Sequence, residues 1–201
     1  MTNTGHGADL PRLARSILSL SERLGALRFG DFKLTSGEAS AYYFDGRLVT
    51  LDPEGSYLVA AAFLPVLREL CVEAVAGPAV AAVPMVSALA LLSHIEEGSP
   101  LGGLIVRPDA KAHGTGKRIE GAVRAGARVA VVDDTCSTGG SLIDAVDAVE
   151  AAGCTVVKVM CILDRNMGGS DAIRQRGYDF LALLEADEGG RIRPPSDDRQ
   201  P

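Results

Sequence analysis

The chain has 201 residues, 47% of them hydrophobic and 23% charged, with a net charge of −6. That length favours one domain, large enough to bury a core without disulfides or a structural metal. The acidic balance excludes the broad basic footprint of a nucleic-acid-binding protein, so an anionic ligand has to be small and held by a local patch.

Residues 1–9 and 187–201 are polar and read as flexible tails around that single domain. The first of them has no basic segment followed by an apolar run, so no secretory signal is expected and the reading is cytoplasmic. From Leu10 to Leu27, apolar residues at 10, 13, 17, 20, 24 and 27 mark a helical stripe. Residues 29–51, with their Gly, Tyr and Phe, predict turns and strands, and Asp52-Pro53 begins a helix through Leu70. Ala74–Ser93 is almost wholly apolar and about as long as a membrane span. Gly77, Pro78 and Pro84 interrupt it, so it reads instead as a strand at 72–76, a turn, and a helix at 84–95.

The pattern then alternates: strand 101–107, a loop of Gly, Lys, His and Arg at 108–121, strand 128–132, helix 140–152, strand 155–163, helix 172–176 and strand 178–184. Continuous apolar strands alternating with helices predict an open α/β fold, a mostly parallel sheet flanked by helices. Ligands bind such sheets at the carboxyl ends of the strands. The four cysteines (Cys71, Cys136, Cys154, Cys161) form no C-x-x-C pair and have no His at zinc-ligand spacing, so each reads as a small buried hydrophobe. Burial is also the expectation for His94.

The most informative segment is A-R-V-A-V-V-D-D-T-C-S-T-G-G-S-L-I-D-A-V, residues 127–146. A buried strand runs into two carboxylates, then into hydroxyl and glycine residues, then into a helix. Gly139 and Gly140 let an anion approach the backbone, the helix supplies its positive end, and Ser137, Thr138 and Ser141 add donors. Asp133 and Asp134 can accept hydrogen bonds from the vicinal hydroxyls of a sugar. Phosphate donors beside diol acceptors describe a ribose 5-phosphate site. No G-x-G-x-x-G follows a strand, and Gly114-Thr115-Gly116-Lys117 lacks both ends of a P-loop.

This segment resembles the PRPP-binding signature of type I phosphoribosyltransferases. Three further segments, in order and in register from about residue 28 to 169, resemble the orotate phosphoribosyltransferases within that family. These are F-G-D-F-K-L-T-S-G-E-A-S-A-Y-Y-F-D-G-R (29–47), L-I-V-R-P-D-A-K-A-H-G-T-G-K-R-I-E-G (104–121) and I-L-D-R-N-M-G-G (162–169). The resemblance implies the family fold with a small N-terminal hood. It assigns Asp133, Asp134, Thr135, Cys136, Ser137, Thr138, Gly139, Gly140 and Ser141 to PRPP. Ser137, Arg165, Tyr43 and Phe44 go to orotate, and Arg107, Lys111 and His113 to a mobile catalytic loop. It also implies Mg²⁺ carried mainly by the pyrophosphate of PRPP rather than by protein ligands. The quaternary structure it implies is a homodimer in which the 107–121 loop reaches the neighbouring site. Neither a nucleic acid nor a membrane is expected as a partner.

Four positions depart from the family pattern. Pro108 replaces the usual lysine after the loop arginine, and Thr35, Ala81 and Met167 replace a lysine, a lysine and an acidic residue found in some members. A phosphoribosyltransferase for another base, or a non-catalytic PRPP-binding regulator, are the alternative readings.

Overall fold

The computed structural model describes residues 10–33, 39–96, 98–108 and 118–195. Helix α1 spans Leu10–Arg23 and buries Ala14, Ile17, Leu20 and Ser21 on one stripe. The apolar spacing continues to Leu27, but the helix stops four residues earlier. Gly25 takes a left-handed φ of 68°, and its N–H donates to Glu22 O, turning the chain out. Leu27 instead opens strand β1 (Leu27–Lys33), which pairs antiparallel with β2 (Ala39–Phe44) in a separate two-stranded sheet, the expected hood.

A five-residue helix the pattern did not announce, α2 (Gly46–Thr50), follows, capped by Asp45. Helix α3 (Pro53–Glu69) begins as foreseen, with Asp52 Oδ1 accepting from Gly55 N at 3.0 Å and Pro53 in its first turn. The membrane-length stretch resolves into β3 (Ala74–Pro78) and α4 (Val83–Ile95). Among the described residues no helix is long and apolar enough to cross a membrane.

The remaining elements are β4 (Gly102–Val106), β5 (Ile119–Glu120), β6 (Arg128–Cys136), α5 (Gly140–Ala151), β7 (Thr155–Asp164), α6 (Gly169–Gln175), β8 (Phe180–Ala186) and β9 (Ile192–Arg193). With β3 they form a seven-stranded sheet in the order β5-β4-β3-β6-β7-β8-β9. The five inner strands run parallel, and the short strands β5 and β9 close the two edges antiparallel. Alternation along β6 feeds two cores: Ala130 and Val132 join α3 and α4 on one face, and Val129 and Val131 join α5 on the other.

Three expectations need correction. Residues 187–195 are not a free tail: Gly190 N donates to Asp187 O, β9 pairs with β8, and Ile192 is buried. An apolar side chain two residues past a turn was enough to secure the end of the sheet. Residues 1–9 and 196–201 lie outside the described residues. Cys71 is exposed rather than buried, at a left-handed φ of 50° just past the end of α3, whereas the other three cysteines are buried. His94 is exposed in the last turn of α4.

Candidate active site

From β3 the chain crosses through α4 to β4 on one side, and from β6 through α5 to β7 on the other. The order therefore reverses between β3 and β6, and a crevice opens beyond their carboxyl ends. Asp133, Asp134, Thr135 and Cys136 form the carboxyl end of β6, beside this crevice.

Because adjacent strand residues face opposite sides, the two acids have different neighbours. Asp133 turns toward α5, where its Oδ2 accepts from Ser141 Oγ at 3.0 Å and its Oδ1 from Asp134 N at 2.9 Å. Asp134 turns toward α2 and accepts from Thr135 Oγ1 at 3.2 Å. There the backbone of Gly46 presses on it: a Cβ at residue 46 would stand 2.5 Å from Asp134 Cβ and 2.8 Å from its Oδ2. Both carboxylates are at least nine-tenths buried, and among the described residues no lysine or arginine forms an ion pair with either. Burial, then the charge of Asp134, pushes Asp133 up to about 7. Asp134 is raised for the same first reason, with the nearby Asp45 adding to it and hydrogen bonds from Thr135 and the charge of Arg47 opposing.

The next residues form an open donor cradle. Thr138, Gly140 and Ser141 are exposed and Ser137 half-buried. Gly139, at φ 80°, is the N-cap of α5, and no side chain caps that helix. Its first N–H groups are therefore available to an anion. Cys136 belongs to this stretch in sequence but not in chemistry. Its side chain is 1% exposed, and burial followed by the charges of Asp164 and Asp133 raises the thiol to about 12, leaving an inert apolar contact.

Arg165 follows β7. Its N–H donates to Cys136 O at 2.8 Å, its Nη2 to Phe44 O at 3.2 Å, and its guanidinium lies 5.2 Å from the ring centre of Tyr42. Its Nη1 is buried and lacks a hydrogen-bond partner of good geometry among the described residues, which leaves donor capacity on the guanidinium. Burial raises the Tyr42 hydroxyl pKa, with Arg165 opposing.

The structure does not bring Tyr43 and Phe44 together. Phe44 is buried in the core and offers only its carbonyl, while Tyr43 faces away, against Phe32 and Arg28. The ring beside Arg165 is that of Tyr42, which sequence reading passed over. Strand alternation was the available signal, since two consecutive residues cannot both cover one ligand.

Arg107 sits at the root of the expected catalytic loop. Arg107 N donates to Arg118 O at 2.8 Å, Arg118 returns two side-chain bonds to Arg107 O, and Arg107 Nη1 lies 3.6 Å from Glu120. With the β4–β5 pairing this makes a closed stem. Lys111, His113 and Thr35 lie outside the described residues.

A phosphoribosyl transferase domain model matches residues 70–175, more than half of the chain. Orotate phosphoribosyltransferase from Nostoc sp. is 40% identical over 178 residues, covering 88% of this chain and 85% of the relative. That from Methanopyrus kandleri is 40% identical over 177 residues, covering 88% and 90%. Among solved structures, Mycobacterium tuberculosis orotate phosphoribosyltransferase in complex with PRPP superposes with a TM-score of 0.69 at 32% identity, covering 88% of this chain and 96% of that one. Paired acids and an uncapped helix start at the switch point, with Arg165 at the end of the neighbouring strand, agree with these likenesses, and the chain belongs to the orotate phosphoribosyltransferase family of type I phosphoribosyltransferases.

Proposed function

We propose that this crevice transfers the 5-phosphoribosyl group of PRPP to orotate, giving orotidine 5′-monophosphate and pyrophosphate, a step of pyrimidine biosynthesis. The observation that carries the reading is the pair of buried carboxylates, without an ion-pair partner among the described residues, set one short loop before an uncapped helix start. Such acids are costly to the folded chain alone, and a ligand rich in hydroxyl donors supplies the partners that their few hydrogen bonds leave wanting. In this reading Asp133 and Asp134 hold the ribose hydroxyls, residues 137–141 hold the 5-phosphate, and Arg165 pairs with the orotate carboxylate.

As the C1–pyrophosphate bond breaks, positive charge grows on the ribose and negative charge on the leaving group. The carboxylates favour the first, and Arg107, Lys111 and His113 favour the second when the loop covers the site, which also excludes water. Among the described residues no group of three or more His, Cys, Asp or Glu could cage a metal. Two carboxylates beside a pyrophosphate subsite suit Mg²⁺, which binds through substrate phosphates, one or two carboxylates and water. It would be held mainly by the pyrophosphate, with Asp133 and Asp134 at hand, and would neutralise charge on the leaving group. A homodimer, with each 107–121 loop serving the neighbouring site, completes the proposal; exposed Leu51 and Tyr57, flanking the start of α3, suit a surface that a second copy covers.

The test is spectrophotometric. Loss of orotate absorbance should require the protein, PRPP and Mg²⁺ together. PRPP binding without turnover of any base would point to a non-catalytic regulator, and turnover of a different base to another specificity. Lys111→Ala should lower kcat by about 100-fold or more while changing PRPP affinity only several-fold. Equal losses in both would remove Lys111 from the transition state.

A further inference from the structure

The turn after β7 meets the phosphate loop through backbone. Gly169 N donates to Ser137 O at 2.9 Å and Arg165 N to Cys136 O at 2.8 Å. A Cβ on Gly169 would stand 2.5 Å from Gly139 N, 2.5 Å from Ser137 O and 2.7 Å from Cys136 Sγ. Neither backbone atom can give way without moving the loop, and the sulfur is locked in the core. From the other side, a Cβ on Gly139 would meet Gly169 O at 3.0 Å. The two segments touch because both lack side chains there. The turn is also tied to the next strand. Asn166, at a left-handed φ of 52°, donates from Nδ2 to Ala186 O at 2.6 Å and from its backbone N to Asp164 Oδ1 at 2.9 Å.

We propose that residues 165–169 act as a strut that fixes the distance between the base and phosphate subsites, with Gly169 the positioning residue for the phosphate loop. The strut carries Arg165 at one end and abuts residues 136–139 at the other. It rests on the assignment of Arg165 to the orotate carboxylate and of residues 137–141 to the 5-phosphate. A methyl group at position 169 pushes the phosphate loop away, while Arg165, four residues earlier, keeps its side-chain bond to Phe44 O on the hood. Damage then follows the 5-phosphate. PRPP and orotidine 5′-monophosphate carry that group; orotate and pyrophosphate do not.

The experiment is steady-state kinetics of the full chain in both directions, wild type against Gly169→Ala. KM for PRPP and for orotidine 5′-monophosphate should rise about tenfold or more, with KM for orotate and for pyrophosphate within about twofold of wild type. A uniform rise in all four constants, or a loss confined to kcat, overturns the strut. If Gly169→Ala fails to fold, Asn166→Gly keeps the left-handed backbone and removes only the tie to Ala186. It should raise KM for orotate and PRPP together and spare pyrophosphate; unchanged constants overturn the proposal. A wild-type protein without PRPP-dependent orotate consumption would sink the underlying site assignment instead, an outcome distinguishable from a strut that fails in an active enzyme.

Discussion

At the amino edge of the sheet, charges close in pairs. Arg124 meets Glu73, the backbone of Arg128 donates to the same carboxylate, its Nε caps Leu70 O at the end of α3, and Arg68 meets Glu96. At the carboxyl edge of the same strands, Asp133 and Asp134 stand side by side, far more deeply buried, with only hydroxyl and N–H partners. Folding alone accounts for the first arrangement. The second places two buried acids side by side at a cost to folding, and the proposed function supplies a reason for it.

That contrast can be broken by substitution at each edge. The largest effect should come from Asp134→Asn, which weakens charge-assisted bonds to the sugar. Loss in kcat/KM for PRPP of about 10- to 100-fold, or roughly 1.5–3 kcal/mol, is expected with the fold intact; a loss under twofold would make this acid structural.

Next in size is a stability gain. The carboxyl of Asp133 titrates near 7 when folded, against an unfolded value near 3.8. Between those values the folded state holds a proton that the unfolded chain has released, so this residue's contribution is most favourable below about pH 4 and is lost as pH rises through about 7. Asp133→Asn should therefore raise Tm at pH 8 by roughly 2–4 °C, about 1 kcal/mol, while weakening PRPP binding. At pH 4 the two melting curves should converge. A gain of equal size at both pH values would rule out titration as its source. The smallest effect belongs to the amino edge. Glu73→Gln should cost at most about 1 kcal/mol, less in high salt, and leave kcat/KM unchanged.

How much of this was legible in the sequence depends on how far apart the partners lie. The run from Asp133 to Ser141 is contiguous, so its chemistry could be read before any fold was known, and the alternation of buried strands and helices was enough for the sheet. Helix α2 was missed because its five residues carry no period; its N-cap, Asp45, is the only local cue. Gly46 on Asp134 and Gly169 on Gly139 join positions 88 and 30 residues apart by subtraction, and no spacing rule reveals a close backbone approach between distant segments. Tyr42 rather than Tyr43 beside Arg165 follows from strand alternation, which turns neighbouring residues of β2 to opposite faces. Cys136 lies inside the motif, and its side chain is buried in the core as the apolar reading of the cysteines expected.

The stem at Arg107 and Arg118 has a consequence in polymer terms. Because that backbone bond and the β4–β5 pairing already bring the two ends together, the entropy of closing the intervening segment is charged once, to the sheet. Doubling the segment's length would add only about 0.6 kcal/mol, and replacing Pro108 or its neighbours leaves the core of parallel strands untouched. Folding stability therefore places little constraint on length and composition in that stretch, and in the proposed function the constraint comes from the chemistry of Lys111 and His113 instead.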